Sequence, residues 1–462
     1  MKKKSILMMK HIITFCRIVV GSLFIVSGLI KVNDAIGFSY KLEEYFSLKA
    51  LGFPELIPYV LPIAVVIVVG EVLLGVATLL GAWSKLTSSL ILFMTIFFTW
   101  LTWYTWQCNP YELKTFVNPD GTTFQDTPEC VLTCGCFGDA LVLTPFQSFL
   151  KDLFLLPFVL PFFIAAWRNK IALNSLKEDA VIGLLSLVLI GLAAVGVFEW
   201  TFPVVFTVVA MGAGVLAKLA GKGKVWMMAT AVLLVCLLTQ YYTLYYLPLK
   251  DYRPYAIGQD IAMNMKTAEE LGKEPPQYMR YYTIKNLTTG EVKEVDQDQY
   301  ILMYKDSTVD MKQWPIQKEL TRDVKVKEGY EPRILDFLAL TMEGADIQDS
   351  LLSMPRVFLL VAWNLDETDT DHMSEVATFC NAVSVAGIPV FGFSTADYDR
   401  AETFRHEHQL AFPFIQGDEK VLKTMIRANP GIMYLENGVV VNMWSSRSLP
   451  GFGSAMEKGF RP

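Results

Sequence analysis

The sequence predicts a polytopic α-helical membrane bundle followed by a soluble α/β domain. Three observations predict it. Hydrophobic residues fill 53% of 462 positions, and the mean hydropathy of +0.36 exceeds what a soluble globular chain needs. Long apolar runs are confined to the stretch before residue 248, whereas polar residues gather after it. From about residue 334 the pattern changes to short apolar strands alternating with helical segments, which is how α/β layers read in sequence. The net charge of −6 argues against nucleic acid as a partner. A lipid bilayer is the expected surroundings of the first half.

A spanning helix takes about 20 mainly apolar residues. About seven stretches qualify: 11–32, 58–82, 86–107, 148–167, 180–198, 202–219 and 225–247. The first follows Met1-Lys2-Lys3-Lys4 as a secretory leader would. It runs on into Lys31, Asn33 and Asp34 instead of a small-residue cleavage site, so it reads as a retained helix. A cytoplasmic N-terminus groups Lys2–Lys4, Lys10, Lys85, Arg168, Lys170, Lys177, Lys218, Lys222 and Lys224 on one side. Only Lys31, Lys41, Lys49, Lys114 and Lys151 fall on the other, the asymmetry of the positive-inside rule. An odd number of spans then sends everything after residue 247 outside. The pair at 180–219, joined through Glu199-Trp200-Thr201, is the one that a re-entrant arrangement would remove. The expected location is a bacterial inner membrane, with the C-terminal part periplasmic.

Between the third and fourth spans lies a polar loop, 108–139, holding Cys108, Cys130, Cys134 and Cys136. Thiols outside the cytoplasm tend to be oxidised, so up to two disulfides are expected, with three pairings open. A bridge between Cys134 and Cys136 would close a tight ring across Gly135, and strained disulfides are the labile, oxidising ones. Cys108 and Cys130 would then serve as a relay pair or a plain structural bridge. Gly135 is expected to relieve the turn, and Gly138 to let the backbone approach the bundle. Two readings stand side by side: a redox centre, or bridges that only staple the loop. No metal is expected, since Cys-x-Cys is not the usual zinc spacing and the loop has no histidine. No lysine, arginine or histidine lies close to these cysteines in sequence to favour a thiolate. The Thr144-Pro145 helix start, with its dipole, is the expected partial substitute.

Ionisable residues are few within the spans; Arg17 lies about two turns into the first and Glu71 deep in the second. Their depths differ by roughly 6 Å at the helical rise, so they are expected to pair. The pair reads as a structural ion pair or, for Glu71, a proton-handling group. Trp103 and Trp106, next to Cys108, read either as an interfacial belt or as the wall of a quinone head-group site. Cys16 and Cys236 read as packing residues.

RIVVGSLFIVSGLIKVNDAIGFSYKLEEYF at 17–46 and GEVLLGVATLLGA at 70–82 resemble the DoxX family. CGCFGDALVLTPFQSFLKD at 134–152 resembles the cysteine signature of MauE-like members of that superfamily. The resemblance spans roughly 10–170. It implies a four-helix membrane bundle with its site at the outer face, to which about three further spans are added here. It also implies disulfide formation in periplasmic proteins or quinone-linked sulfur oxidation, with quinone as cofactor. Carried over, it picks out Arg17, Lys31, Glu71, Cys134, Cys136 and Gly138.

The predicted organisation is a membrane domain over 1–170, further membrane helices over 171–248, a connecting arm with a β-hairpin over 249–331, and an α/β domain over 332–462. In the last, RVFLLVAW reads as a buried strand, and GIMYLENGVVVNMW as a hairpin turning at Asn437-Gly438. This alternation resembles the thioredoxin-like fold over 332–447, with Pro430 where that fold places a cis-proline. Where the fold carries redox cysteines the chain reads Trp363-Asn364-Leu365-Asp366-Glu367, so a redox-silent domain is expected. The expected function is membrane-embedded thiol–disulfide exchange with a periplasmic protein substrate or partner. The alternatives are a non-catalytic scaffold or accessory subunit, and a small-molecule or lipid carrier.

Overall fold

The computed structural model describes all residues except 1, 111–113, 119, 132–134 and 307–308, and all their side chains except those of 2–7 and 318–320. Among the described residues seven helices are long and apolar enough to cross a membrane. They are α1 (Lys2–Asn33), α3 (Val60–Leu80), α4 (Ser84–Gln107), α5 (Pro145–Trp167), α6 (Leu176–Gly196), α7 (Phe202–Ala220) and α8 (Val225–Tyr245). Between α1 and α3 lies an element the hydropathy pattern does not announce: α2 (Ala35–Phe46), whose N-cap Asp34 accepts from the Gly37 N–H. Its Phe38, Leu42 and Tyr45 are buried, so it is an amphipathic helix lying on the end of the bundle.

Helices α1 and α3 are the central pair. On one side Val20 and Phe24 of α1 pack with Ile91 of α4 and Val159 and Phe162 of α5. On the other, Ile25, Leu29 and Val76 share a core with Ile190 of α6, Phe206 of α7 and Val232 of α8. Lipid tails are as apolar as leucine, so close backbone packing has to hold such a pair. Glycines provide it. A Cβ on Gly28 would stand 2.6 Å from Val72 Cγ2 and 3.1 Å from Glu71 Cβ, and one on Gly75 2.9 Å from the Gly21 carbonyl. Gly28→Val is therefore expected to lower stability by ~1–3 kcal/mol through overpacking; thermal unfolding in detergent measures it.

At the end where α1 finishes, the 108–139 segment forms a short hairpin of β1 (Lys114–Val117) and β2 (Thr123–Asp126). The C-terminal region meets the same end. Asn33 exchanges two hydrogen bonds with the Lys250 backbone, at 2.6 and 3.0 Å. The short α9 (Ile261–Met265) leads to β3 (Gln277–Lys285), β4 (Val292–Asp296), α10 (Gln297–Lys305) and β5 (Ile316–Lys327). The three strands form an antiparallel sheet in the order β4-β3-β5. The sequence predicts only its hairpin, because β5 is largely polar and is held by cross-strand pairs such as Arg280–Asp323 at 2.7 Å.

The remaining elements are β6 (Leu340–Thr341), α11 (Gln348–Leu352), β7 (Val357–Val361), α12 (Met373–Val385), β8 (Val390–Ser394), α13 (Tyr398–Glu407), β9 (Phe414–Gln416), α14 (Glu419–Met425), β10 (Gly431–Glu436), β11 (Val439–Ser445) and α15 (Phe452–Glu457). The strands make one six-stranded sheet ordered β11-β10-β7-β8-β9-β6. β7, β8 and β9 run parallel, and the other pairings are antiparallel. Both faces are covered, which is why β7 is an unbroken apolar run instead of an alternating one. Phe358 and Leu360 face α12, α13 and α15, while Val357, Leu359 and Val361 face α9, α11 and α14. The Asn429–Pro430 peptide is cis and leads into β10.

Candidate functional site

The antiparallel packing of α1 on α3 sets the register of the intramembrane charges. The ammonium of Lys31 lies 2.6 Å from each oxygen of Glu71, with both side chains 3–4% exposed. Arg17 does not pair with Glu71, contrary to the depth argument. It is Gly28 that faces Glu71, so Arg17 sits about 16 Å further along at the helical rise. There its guanidinium donates to the carbonyls of Thr78 and Leu79 and to Asn174 Oδ1, at 3.0, 3.1 and 2.9 Å. Asn174 also donates to Asp179, and Asp179 forms a buried ion pair with Lys218, so Arg17 belongs to a clamp joining α1, α3, α6 and α7. Helix α1 begins well before its apolar run, so Arg17 lies nearer the end of the bundle than its place in that run implies.

Above Lys31 and Glu71 lies the cysteine loop. Lys31 Nζ donates to Ser27 Oγ at 3.1 Å, and Ser27 Oγ stands 3.5 Å from both Glu71 Oε2 and the Cys136 carbonyl. The rings of Phe38 and Phe98, 5.7 and 5.4 Å from Nζ, shield the ammonium from water. Cys136 is buried, whereas Cys134 lies outside the described residues. Cys108 and Cys130 form a disulfide with Cα atoms 5.7 Å apart, tying the loop to the end of α4.

Both loop glycines adopt left-handed backbone, φ +70° at Gly135 and +50° at Gly138. The close approach expected at Gly138 is found instead at Gly135: a Cβ there would stand 3.2 Å from Lys41 Cγ, whereas one on Gly138 would meet nothing within 4 Å. Thr144 caps α5 in a capping box with Gln147. In the first turn of α5, the buried hydroxyl of Ser148 has no hydrogen-bond partner among the described residues. It lines a void of about 10 Å³ together with Cys136.

Although no basic residue is near these cysteines in sequence, three approach the Gly135–Phe137 turn in space. Lys31 comes from α1 through Ser27, Lys41 from α2 against Gly135, and Lys151 from α5 with its Nζ 5.1 Å from the Phe137 ring. Each lysine is paired with its own carboxylate, Glu71, Glu44 or Asp152. What the turn experiences is therefore a set of ion-pair dipoles, weaker than three bare charges.

Beside this turn opens a cleft of about 690 Å³ between the bundle end and the C-terminal region. Its lining includes Lys31, Asp34, Tyr40, Gly135, Phe137 and Asp139 from one side and Arg253, Lys423 and Arg427 from the other. Arg427, two residues after α14, is the main link across it. Its Nε lies 3.0 Å from both Asp34 oxygens and its Nη2 3.5 Å from Asp139 Oδ2, with its guanidinium 5.5 Å from the Tyr40 ring. Arg253 is bound by Asp251 and donates to the Thr424 carbonyl at 2.9 Å. Burial works against the Asp34 anion, but Arg427, Arg253 and the Gly37 N–H more than offset it and hold its carboxyl below the usual range. Burial dominates at Asp139 and raises its carboxyl. Sequence reasoning missed Ser27, Lys41, Lys151, Asp34, Asp139 and Arg427; only Asp34, as a helix-capping residue, left a local signal.

Trp103 and Trp106 do not line this cleft. They are 46% and 42% exposed on the outer surface of α4, and Trp106 stacks on Phe149. The apolar surface nearest the cysteine turn is instead a shallow groove of Phe137, Leu141, Leu143, Leu150 and Phe154, with Gln147 and Lys151 as its polar groups. Such a mixture of apolar walls and amide and ammonium donors fits a quinone ring and its carbonyls. In the C-terminal sheet, the turn after β7 carries Trp363 and no cysteine. Cys380, in α12, is fully buried, and that burial pushes its thiol up to about 12. Cys16 and Cys236 are buried among the spans. Among the described residues no group of three or more histidine, cysteine or acidic side chains is placed to hold a metal.

No curated protein matches this chain. Residues 9–111, which run from within α1 past the end of α4 and include Arg17, Lys31 and Glu71, are similar to the family described as methylamine utilisation protein MauE.

Proposed function

We propose that this is a membrane-embedded thiol–disulfide exchange protein whose centre is Cys134 and Cys136. The observation that carries it is the arrival of Lys31, Lys41 and Lys151, from three separate helices, at the Gly135–Phe137 turn. Positive ends of ion pairs, together with the α5 N-terminus and the Ser148 hydroxyl, favour a thiolate over a thiol. The reaction balances as an exchange. A substrate thiolate attacks one sulfur of the Cys134–Cys136 bridge, the other leaves as thiolate, and a second substrate thiol resolves the mixed disulfide. The substrate leaves as a disulfide, and the loop holds two thiols. A quinone bound in the groove beside Phe137 would supply the sink for the two electrons and two protons. Gln147 and Lys151 would orient it there, and the apolar wall would exclude water.

The lysine and arginine asymmetry between the loops supports a non-cytoplasmic position for this end, in a bacterial inner membrane with the C-terminal part periplasmic. The strand order, and a proline entering β10 beside the turn after β7, support a thioredoxin-like reading of the C-terminal sheet. The domain division 1–170, 171–248, 249–331 and 332–462 goes with this reading. Lacking cysteines at that turn, this part acts as a binding and covering element for a periplasmic partner. The MauE likeness supports a membrane accessory protein in either case. The rival reading is a scaffold, which the structural position of the Cys108–Cys130 bridge favours.

Serine substitution separates the two. Cys136→Ser and Cys134→Ser are each expected to abolish oxidation of a dithiol substrate by more than a hundredfold while shifting thermal unfolding little. A Cys134→Ser protein mixed with the disulfide form of the substrate is expected to accumulate a mixed disulfide at Cys136, the Cys136 thiolate attacking that disulfide and displacing one substrate thiolate. Serine variants that are merely destabilised, in a protein that does not oxidise a dithiol substrate even when unsubstituted, would leave the scaffold.

A further inference from the structure

We propose that the C-terminal sheet closes the cleft against α2, and that Lys420 and Glu43 are the latch of the closed state. The inference goes beyond thiol exchange and holds whether or not the loop performs it. Helices form two of the cleft's walls: α2 contributes Tyr40, Glu43 and Glu44, and α14 contributes Lys420 and Lys423. The contacts already made between them set an antiparallel register. Asp34, which caps the start of α2, meets Arg427, just past the end of α14, at 3.0 Å. Further along, the Lys423 ammonium lies 4.9 Å from the centre of the Tyr40 ring. Three residues on from Tyr40 is Glu43, and three residues back from Lys423 is Lys420. Both steps are about 4.5 Å at the helical rise, and side chains three apart share a helix face. Glu43 and Lys420 are therefore the next rung.

That rung is unmade. Among the described residues neither Glu43 nor Lys420 has an ion pair, whereas Glu44 is satisfied by Lys41 and Lys423 by Glu419, each within its own helix. The other nearby carboxylates are engaged too, Glu129 by the Ser47 hydroxyl and Asp418 as the cap of α14. The fastenings between the sheet and the bundle end lie at the start of α2: Arg427 on Asp34 and Asp139, and Asn33 on the Lys250 backbone. This is a hinge with a free edge. Val421, Leu422 and Met425 bury α14 in the core beneath the sheet, so helix and sheet turn together about the Asp34 end. An exposed ion pair is a weak link, which keeps the open and closed states close in energy. A ligand that touches both walls then shifts the balance. Closure draws α14 towards the wall formed by Gly135, Phe137 and Asp139.

The test uses the full-length protein in lipid nanodiscs and a zero-length carbodiimide, which joins an ammonium to a carboxylate only where the two meet. Linked peptides are quantified by mass spectrometry against the Lys423–Glu419 link, which lies within α14 and does not depend on closure. A Lys420–Glu43 link is expected, at least fivefold weaker at about 1 M than at about 0.02 M sodium chloride, because salt screens exposed charges. Hydroxyl-radical labelling of Tyr40 reads closure itself. Glu43→Lys and, separately, Lys420→Gln are expected to raise that labelling at least twofold, and the charge exchange Glu43→Lys/Lys420→Glu to return it to the original level. Absence of the Lys420–Glu43 link beside a normal Lys423–Glu419 link overturns the inference. So does a Lys420 link to Glu44 or Glu129 alone, or Tyr40 labelling that neither single variant moves.

Discussion

Glu71→Leu is expected to lower the stability of the protein by about 3–5 kcal/mol, and Lys31→Met by a similar amount. Each change leaves one charge buried without its partner, in a position where neither side chain reaches water. The double variant Lys31→Met/Glu71→Leu is expected to recover most of this loss or exceed the original stability, because two apolar side chains of similar volume need no desolvation. Unfolding of all three in detergent gives the coupling directly. The double variant also divides structure from chemistry. If the pair only fixes the helices, it keeps thiol exchange. If Lys31 helps to hold a thiolate at the loop through Ser27, the folded double variant loses exchange at least tenfold, and its Cys136 alkylation profile moves to higher pH. A stable double variant with unchanged alkylation would remove Lys31 from the mechanism.

Arg427→Ala is expected to loosen the seal between the C-terminal sheet and the bundle by about 3 kcal/mol, through the lost Asp34 partnership and the buried space vacated. Hydrogen exchange should rise at least tenfold in α2 and α14 while β7 and β10 stay protected. Protection unchanged in α2 would contradict the role given to this arginine. Acid is expected to do the same in two stages of opposite sign. Asp139 is raised by burial, so its ionisation costs stability, and that cost fades as the pH falls through its elevated range. Asp34 is held low, so its contribution is complete above about pH 4 and is lost only as the pH falls through its depressed native value. Protection of α2 should therefore hold or rise slightly on mild acidification, then collapse in stronger acid. Asp34→Asn should remove the second stage and spare the first.

The seven apolar helices, the polar cysteine-bearing segment between the third and fourth, and the alternation of strands and helices after residue 334 are all legible in the amino-acid order. Hydropathy length and strand periodicity are local quantities, and the bilayer and a two-faced sheet select on them directly. The α2 helix escaped because it is short and amphipathic, and β5 because its stabilising pairs lie on other strands. Which charges meet follows from how the helices pack. The close contact of Gly28 with Val72 sets a register that gives Glu71 to Lys31 and leaves Arg17 to the carbonyls at the far end of α3. The packing likewise brought lysines from three helices to the Gly135–Phe137 turn and carried Arg427 to Asp34, nearly four hundred positions away. Pairings of that kind depend on how helices pack, and no window of sequence contains both partners.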